Sequence, residues 1–197
     1  MPQNNRCDTH PCALLIIDMQ QGIQQTGKPR NNPDAEARIA DLLACWRQAD
    51  WPRVHIRHIS RHADSVFAPG QRGALFQPAL APLSDEAVFE KNVTDAFTHS
   101  GLERWLHVRG LTQVVIVGVA SENSVEATAR SASNLGFATR VVADACHTFA
   151  KRDFAGHPRS AEEVHDMAMA NLRDEYAQVV HTAELLAELF GVGGPIG

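Results

Sequence analysis

Three polar side chains of the kinds that carry out acid–base and nucleophilic chemistry each follow an apolar run of the sequence. Asp18 ends the run ALLIID, and Lys91 ends the run AVFEK. Ser124 follows the β-branched run at residues 114–117, after an apparent turn at Gly118. A carboxylate can move protons, an ammonium can stabilise negative charge, and a hydroxyl can attack a carbonyl carbon. If these runs are parallel strands, their carboxyl ends share the sheet edge where ligands of open α/β sheets bind.

Each of the three side chains also has an ordinary structural explanation. Asp18 could cap a loop, and Lys91 could be a solvated residue at a strand end. Ser124 stands where a helix should begin, and serine is a common helix N-cap. The coincidence of all three at predicted strand ends therefore makes an active site a hypothesis that depends on whether they converge.

The elements that must position these residues alternate between strand and helix patterns. Apolar or alternating runs predict strands at residues 13–18, 53–59, 87–91, 114–117, 138–145 and 177–180. Apolar spacing and capping boxes at Ser100/Glu103 and Ser160/Glu163 predict helices at 34–49, 101–109, from about 124 to 135, after Ser160 to about 172, and at 182–190. The alternation predicts an α/β fold, a three-layer α/β/α Rossmann-like arrangement with a six-stranded parallel sheet and helices on both faces.

The length and composition favour one domain over residues 1–197, with loose ends at 1–11 and 191–197. The irregular segment 60–85 is predicted to be a lid or pocket wall. A net charge of −5 gives no reason to expect nucleic acid as a partner, and no apolar run reaches the length of about 18 residues that a membrane span requires. Four cysteines without a CxxC pair and an N-terminus without an apolar segment predict a cytoplasmic protein with reduced thiols.

The motifs taken together resemble the isochorismatase-like (cysteine hydrolase) family. The resemblance rests on ALLIIDMQ, the pair EK at 90–91, GVASENSVEATARSASNLGF and VVADA, and it extends from about residue 12 to residue 182. It implies a catalytic triad in which Asp18 and Lys91 match the family's Asp and Lys, while Ser124 stands at the position of its nucleophilic Cys. It also implies a cis peptide bond between Val119 and Ala120, which would turn the N–H groups of Ala120 and Ser124 toward a substrate.

The serine at position 124 leaves the class of the cleaved bond open. Amide-cleaving relatives use a thiolate, whereas a serine hydroxyl needs a base to remove its proton, a role that Asp18 would take. The isochorismatases themselves lack the Cys and hydrolyse a vinyl ether by acid–base chemistry. We favour hydrolysis of a C–N (amide-type) bond in a small organic molecule, with Ser124 as nucleophile or as the group that orients a water. The alternatives are a vinyl-ether hydrolase and a catalytically weak binding protein.

Residues around the triad complete the predicted site. Gln20 is close in sequence to Asp18, and three phenylalanines are candidates for apolar walls: Phe67, Phe76 and Phe97. The zinc motif of the family's nicotinamidases needs an Asp and two histidines after the second strand, but RHISRHADS offers His58 and His62 without an Asp-x-His. No dinucleotide or P-loop motif is present, so we expect no metal and no cofactor. The resemblance further implies a homo-oligomer, a dimer or tetramer.

Overall fold

A computed structural model describes residues 11–191 of the chain. The predicted loose ends, 1–11 and 191–197, lie outside the described residues apart from Pro11 and Gly191. The strands are β1 Ala13–Ile17, β2 Arg53–His58, β3 Ala87–Lys91, β4 Gln113–Val119, β5 Ala138–His147, β6 Lys151–Arg152, β7 Pro158–Arg159 and β8 Gln178–Val180. The helices are α1 Gln21–Gln24, α2 Ala35–Gln48, α3 Leu102–Val108, α4 Glu126–Asn134, α5 Ala161–Leu172 and α6 Thr182–Phe190.

Six strands form one parallel sheet in the order β3-β2-β1-β4-β5-β8. All five residues of β1 are buried, because alternate side chains enter two different apolar clusters. Leu15 and Ile17 pack with residues of α3, α4 and α5 on one face, and Leu14 and Ile16 pack with α2 and α6 on the other. Burial on both faces explains the continuous apolar run. The predicted α/β fold with a six-stranded parallel sheet is confirmed.

Two predicted strand ends are wrong. One was placed before Gly118, which looked like a turn, and the other just after Asp144, which looked like an acid at a strand end. β4 continues through Gly118 to Val119, and Gly118 has a φ of 125°. A Cβ there would lie 2.1 Å from the carbonyl oxygen of Ile17, so the close approach of β1 requires glycine. β5 also continues past Asp144, whose carboxylate accepts hydrogen bonds from the backbone amide and hydroxyl of Thr182 and so caps α6.

Of the two predicted capping boxes, one is present in the structure and the other is not. Ser160 and Glu163 form the predicted capping box at the start of α5. The predicted box at Ser100 is wrong, because Gly101 with a φ of 77° is the N-cap of α3 and the Ser100 hydroxyl donates to the carbonyl of Ala96. Between β2 and β3 the chain is irregular except for two short 3-10 turns, Arg72–Ala74 and Pro78–Leu80. None of the helices described for residues 11–191 has the length and apolar character that crossing a membrane would take.

Candidate active site

The side chains of Asp18, Lys91 and Ser124 meet at the carboxyl edge of the sheet. The Nζ of Lys91 donates to Oδ2 of Asp18 over 2.7 Å and to Oγ of Ser124 over 3.1 Å. It also donates to the carbonyl oxygen of Val93 over 3.2 Å. An ammonium has three N–H groups, so each has an acceptor in this arrangement. Lys91 therefore joins the carboxylate and the hydroxyl, and all three of its N–H groups are occupied.

The sheet order explains why a long side chain is needed at position 91. β3 and β1 are separated by β2, so their ends lie two strand spacings apart, about 10 Å. The Lys91 side chain is fully buried and crosses the end of β2 to reach Asp18. Asp18 has a φ of 53°, in the left-handed region, so strand geometry ends at this residue. Its backbone amide is still held by the carbonyl of Ile56 on β2 over 2.9 Å.

Ser124 lies in a π-helical turn, Ser121–Val125, that links β4 to α4. The carbonyl of Ala120 accepts from the amides of Asn123 and Val125, over 3.0 and 3.2 Å, and the amide of Ser124 is not among its donors. The peptide bond between Val119 and Ala120 is cis, where the family resemblance places it. Isolated π turns occur frequently at functional sites, and the N-terminal end of a helix favours negative charge. The backbone beside Ser124 is thus suited to an anionic group.

Burial controls the protonation of the carboxyl group. Asp18 is only 6% exposed, and this burial raises its pKa, while Lys91 and the Ser124 hydroxyl act in the opposite direction. Oδ2 is paired with Lys91, but Oδ1 is buried and accepts no hydrogen bond from the described residues. A carboxylate with a raised pKa and one free oxygen can both accept and return a proton. The geometry therefore supports acid–base chemistry at Oδ1.

Gln20, predicted to contact substrate, is fully buried and bonded to the backbone of two neighbouring segments. Its Nε2 donates to the carbonyls of His58 and Ala74, over 3.0 and 2.9 Å, and its Oε1 accepts from the amide of His58 over 2.8 Å. Both amide hydrogens are therefore used. These contacts are those of a residue that fastens the end of β2 and the long loop to the segment that follows β1.

The three predicted wall residues lie in different places. Phe97 belongs to the apolar core and stacks on Phe137, with ring centroids 5.7 Å apart. Phe137 directly precedes β5, at the amino edge of the sheet, so the prediction that Phe97 lines the site is corrected to a core position. Phe76 packs edge-on against His55. Phe67 packs edge-on against His58, the last residue of β2, with centroids 6.2 Å apart, and so lies near the carboxyl edge of the sheet.

Two further residues lie beside the triad: His58, which the sequence offered only as part of an incomplete metal motif, and Thr128, which the sequence did not single out. His58 is the register neighbour of Lys91 across β2 and β3, and burial, followed by Lys91, lowers the pKa of its imidazole. Thr128 accepts the amide of Ala96 over 3.1 Å and so fixes the segment that follows Lys91. Thr128 lies four residues after Ser124, a spacing that places both on one helix face and was a usable signal.

A cavity of about 520 Å³ adjoins Lys91 between the start of the long loop and the segment after β3. Its wall includes Ile59, Ser60, Pro69 and His99. Asp18 and Ser124 are only 6% and 7% exposed, so the triad is buried at the carboxyl edge of the sheet and does not lie on the open surface.

Within residues 11–191 no group of three or more His, Cys, Asp or Glu side chains comes together in a way that could hold a metal ion. The residues present therefore do not fit the zinc site of the family's nicotinamidases.

A parallel, Rossmann-like α/β sheet here places a carboxylate, an ammonium and a hydroxyl beside a helix start, an arrangement that is able to perform acid–base and nucleophilic chemistry. The family model described as "Isochorismatase domain" matches residues 12–184. The chain therefore belongs to the isochorismatase family of hydrolases.

Known proteins similar to this chain agree with that assignment. The crystal structure of an isochorismatase-family protein from Chromobacterium violaceum is 44% identical, has a TM-score of 0.91, and covers 98% of this chain and 100% of its own. The uncharacterized isochorismatase family protein YrdC of Bacillus subtilis is 33% identical over 88% of this chain and 94% of its own length. A maleamate amidohydrolase of Pseudomonas putida is 30% identical over 92% of this chain and 88% of its own length.

Proposed function

We propose that this protein hydrolyses a C–N (amide-type) bond in a small organic molecule, using Asp18, Lys91 and Ser124. The observation that carries the proposal is the Lys91 ammonium, which holds Asp18 Oδ2 and Ser124 Oγ while Asp18 Oδ1 remains free. The similarity to a maleamate amidohydrolase supports an amide as the bond.

The proposed reaction assigns one task to each side chain. Asp18 removes a proton from the Ser124 hydroxyl, or from a water that this hydroxyl orients, and the oxygen attacks the amide carbon. The N–H groups of Ala120 and Ser124 bind the oxygen of the tetrahedral intermediate, an interaction typically worth about 3 to 4 kcal/mol in activation free energy. Asp18 then returns the proton to the leaving nitrogen. On the covalent route a water, activated by Asp18, releases the acid product.

Lys91 has an electrostatic role in this scheme. Its ammonium stabilises the Asp18 carboxylate against burial and fixes the Ser124 oxygen 3.1 Å from Nζ. Without it, burial would favour the neutral carboxylic acid, which cannot act as a base.

The serine itself favours one second candidate, the hydrolysis of a vinyl ether. A hydroxyl is a much weaker nucleophile than the thiolate of amide-cleaving relatives. In a vinyl-ether reaction Asp18 would protonate the substrate carbon, and water would complete the cleavage without a covalent intermediate. Ser124 would then serve only to orient that water.

The test is a substrate panel of primary amides, N-carbamoyl compounds and a vinyl ether, assayed with the wild type, Asp18→Ala and Ser124→Ala. Ser133→Ala, on α4 beyond the site, is the matched control. We expect ammonia release by the wild type and the control, and loss of activity in Asp18→Ala. Full activity of Asp18→Ala would refute the mechanism. Full activity of Ser124→Ala would exclude the covalent route and leave the water route.

Further predictions accompany this function. We expect one domain across residues 1–197, a homo-oligomer that is a dimer or tetramer, and a cytoplasmic location. Small molecules are the expected partners, without nucleic acid, membrane, metal or cofactor. These remain predictions that follow from the sequence and the family resemblance.

A further inference from the structure

A buried serine–histidine pair lies next to the proposed active site and has no part in the mechanism above. Ser121 is the first residue of the π-helical turn, and its Oγ lies 2.7 Å from Nδ1 of His165 on α5. Ser121 has no exposed surface, and His165 is 4% exposed. Because Ser121 is fully buried, it cannot meet a substrate as a second nucleophile. The hydrogen bond instead connects the start of the turn to a neighbouring helix.

The next residue of the turn is held from a different direction. The hydroxyl of Thr148 donates to the Glu122 carboxylate, and the Nζ of Lys151 lies 3.2 Å from its other oxygen. Two successive residues at the start of the turn are therefore fixed by side chains from separate elements. Such support matters here because a π-helical turn lacks the regular hydrogen bonds of an α-helix.

His165 acts on the turn through its hydrogen bond and not through a charge. Burial lowers the pKa of its imidazole, and the nearby carboxylates of Glu162 and Asp166 only partly offset this. The neutral ring is therefore the form expected near pH 7.

We propose that His165 is a positioning residue for Ser124. Through Ser121 it holds the turn Ser121–Val125, so that the Ser124 oxygen stays beside Lys91 and the Ser124 amide stays directed at the site. This inference rests on the proposed function of Ser124. It adds that the precision of the site depends on a residue of α5 that touches neither the substrate nor the triad.

A thiol introduced by Ser124→Cys provides a reporter that needs no known substrate. Its rate of alkylation by iodoacetamide, measured from about pH 5 to pH 9, follows the fraction of thiolate at position 124. The native Cys12, Cys45 and Cys146 are buried with raised thiol pKa values, about 12 for Cys12 and Cys146, and will react slowly. Cys7 lies outside the described residues and is removed by Cys7→Ser, and mass spectrometry of peptides identifies the modified position.

In this background we expect His165→Leu and Ser121→Ala each to lower the alkylation rate near pH 7 by about threefold or more, because the thiolate loses its fixed place beside Lys91. The double variant should be no slower than either single variant, because both remove the same hydrogen bond. His165→Asn should restore the rate, since its side-chain amide places a polar atom at the same number of bonds from the backbone as Nδ1.

Met169→Ala is the matched control. Met169 lies one turn after His165 on α5, is also buried, and forms no side-chain hydrogen bond with Ser121. It should lower the melting temperature but leave the alkylation curve unchanged. An unchanged curve in folded His165→Leu, additive losses in the double variant, or an equal loss in Met169→Ala would overturn the proposal. Failure of the proposed function is distinguishable, because it would appear as absent hydrolysis by the wild type, whereas His165 variants are compared with their own Ser124→Cys parent.

Discussion

Replacement of Lys91 by methionine should destabilise the protein by an amount that depends on pH. The ammonium lies 2.7 Å from Asp18 Oδ2, and its side chain is fully buried. At an effective dielectric constant of about 20, the attraction of two unit charges at this distance is about 6 kcal/mol. Protonation of the stranded carboxyl group recovers part of that energy. We therefore expect a loss of about 3 to 5 kcal/mol in the free energy of unfolding near pH 8.

The sign of the pH dependence follows from the pKa of Asp18. Burial already raises this pKa in the wild type, and removal of Lys91 should raise it further. A raised pKa stabilises the fold at low pH, and this contribution is lost as the pH rises through the folded-state value. The loss caused by Lys91→Met should therefore be smaller near pH 5 than near pH 8.

Urea denaturation at the two pH values measures this difference. Arg57→Met is the matched control, because Arg57 on the neighbouring strand forms a partly exposed ion pair with Glu90. It should cost less than about 1 kcal/mol at either pH. A loss below about 1 kcal/mol for Lys91→Met, or a loss of equal size at both pH values, would refute the electrostatic account of the site.

Three other outcomes follow from the same structure. The raised pKa of Asp18 should place the acid limb of the wild-type kcat/KM profile above the ordinary aspartate value of about 4, and a limb at or below that value would contradict its role as base. Ser124→Cys should raise amide hydrolysis at least about tenfold, measured as ammonia release, and unchanged turnover would count against nucleophilic attack at this position. Glu86, whose buried carboxylate is bonded to Arg47, Arg53 and His55, has its pKa lowered to about 2. Glu86→Gln should lower the free energy of unfolding by about 3 kcal/mol at pH 7, measured by urea denaturation. A carboxylate whose pKa is lowered in the folded state stabilises the fold at high pH, and this stabilisation is lost as the pH falls through the folded-state pKa. A difference between variant and wild type that failed to shrink toward pH 2 would contradict this assignment.

The sheet, and the meeting of Asp18 and Lys91 at one of its edges, could be predicted because each left a local signal. ALLII is apolar at every position because β1 is covered on both faces. Ser160 and Glu163, three residues apart, form the capping box that marks the start of α5. Asp18 and Lys91 stand at strand ends, where the parallel topology brings side chains to one edge. For these features, the residues that decide the structure are neighbours in sequence or repeat with a fixed period.

Other features depend on contacts between residues that are far apart in the chain. Gln20 looked like a pocket residue, but its partners His58 and Ala74 are 38 and 54 positions away. Asn32 donates to the carbonyls of Ala143 and Cys146, where β5 bulges out of register with β4, and nothing near position 32 signals this. Such contacts carry no period and no motif, so a single sequence does not show them.

The elements that the sequence did not predict correctly are either very short or have an end that depends on a single residue. The hairpin β6–β7 has two residues in each strand, too few for any alternation to be visible. β4 ends two residues beyond the predicted strand end at residue 117, because Gly118 allows a close approach of two strands and does not form a turn. The sequence alone does not distinguish these two uses of glycine. The sequence therefore predicted which strands carry Asp18 and Lys91, but not that Gln20 is held by distant backbone groups.

The central claim, that the carboxylate of Asp18 carries the chemistry, is tested most directly by the kcat/KM of Asp18→Asn on the best amide of the panel. Asp144→Asn is the comparison, because Asp144 is a carboxylate of the same sheet that caps α6 instead of facing Lys91. We predict a fall of at least about 100-fold for Asp18→Asn and a change of less than about threefold for Asp144→Asn. Wild-type activity in Asp18→Asn, or an equal fall in both variants, would contradict the account.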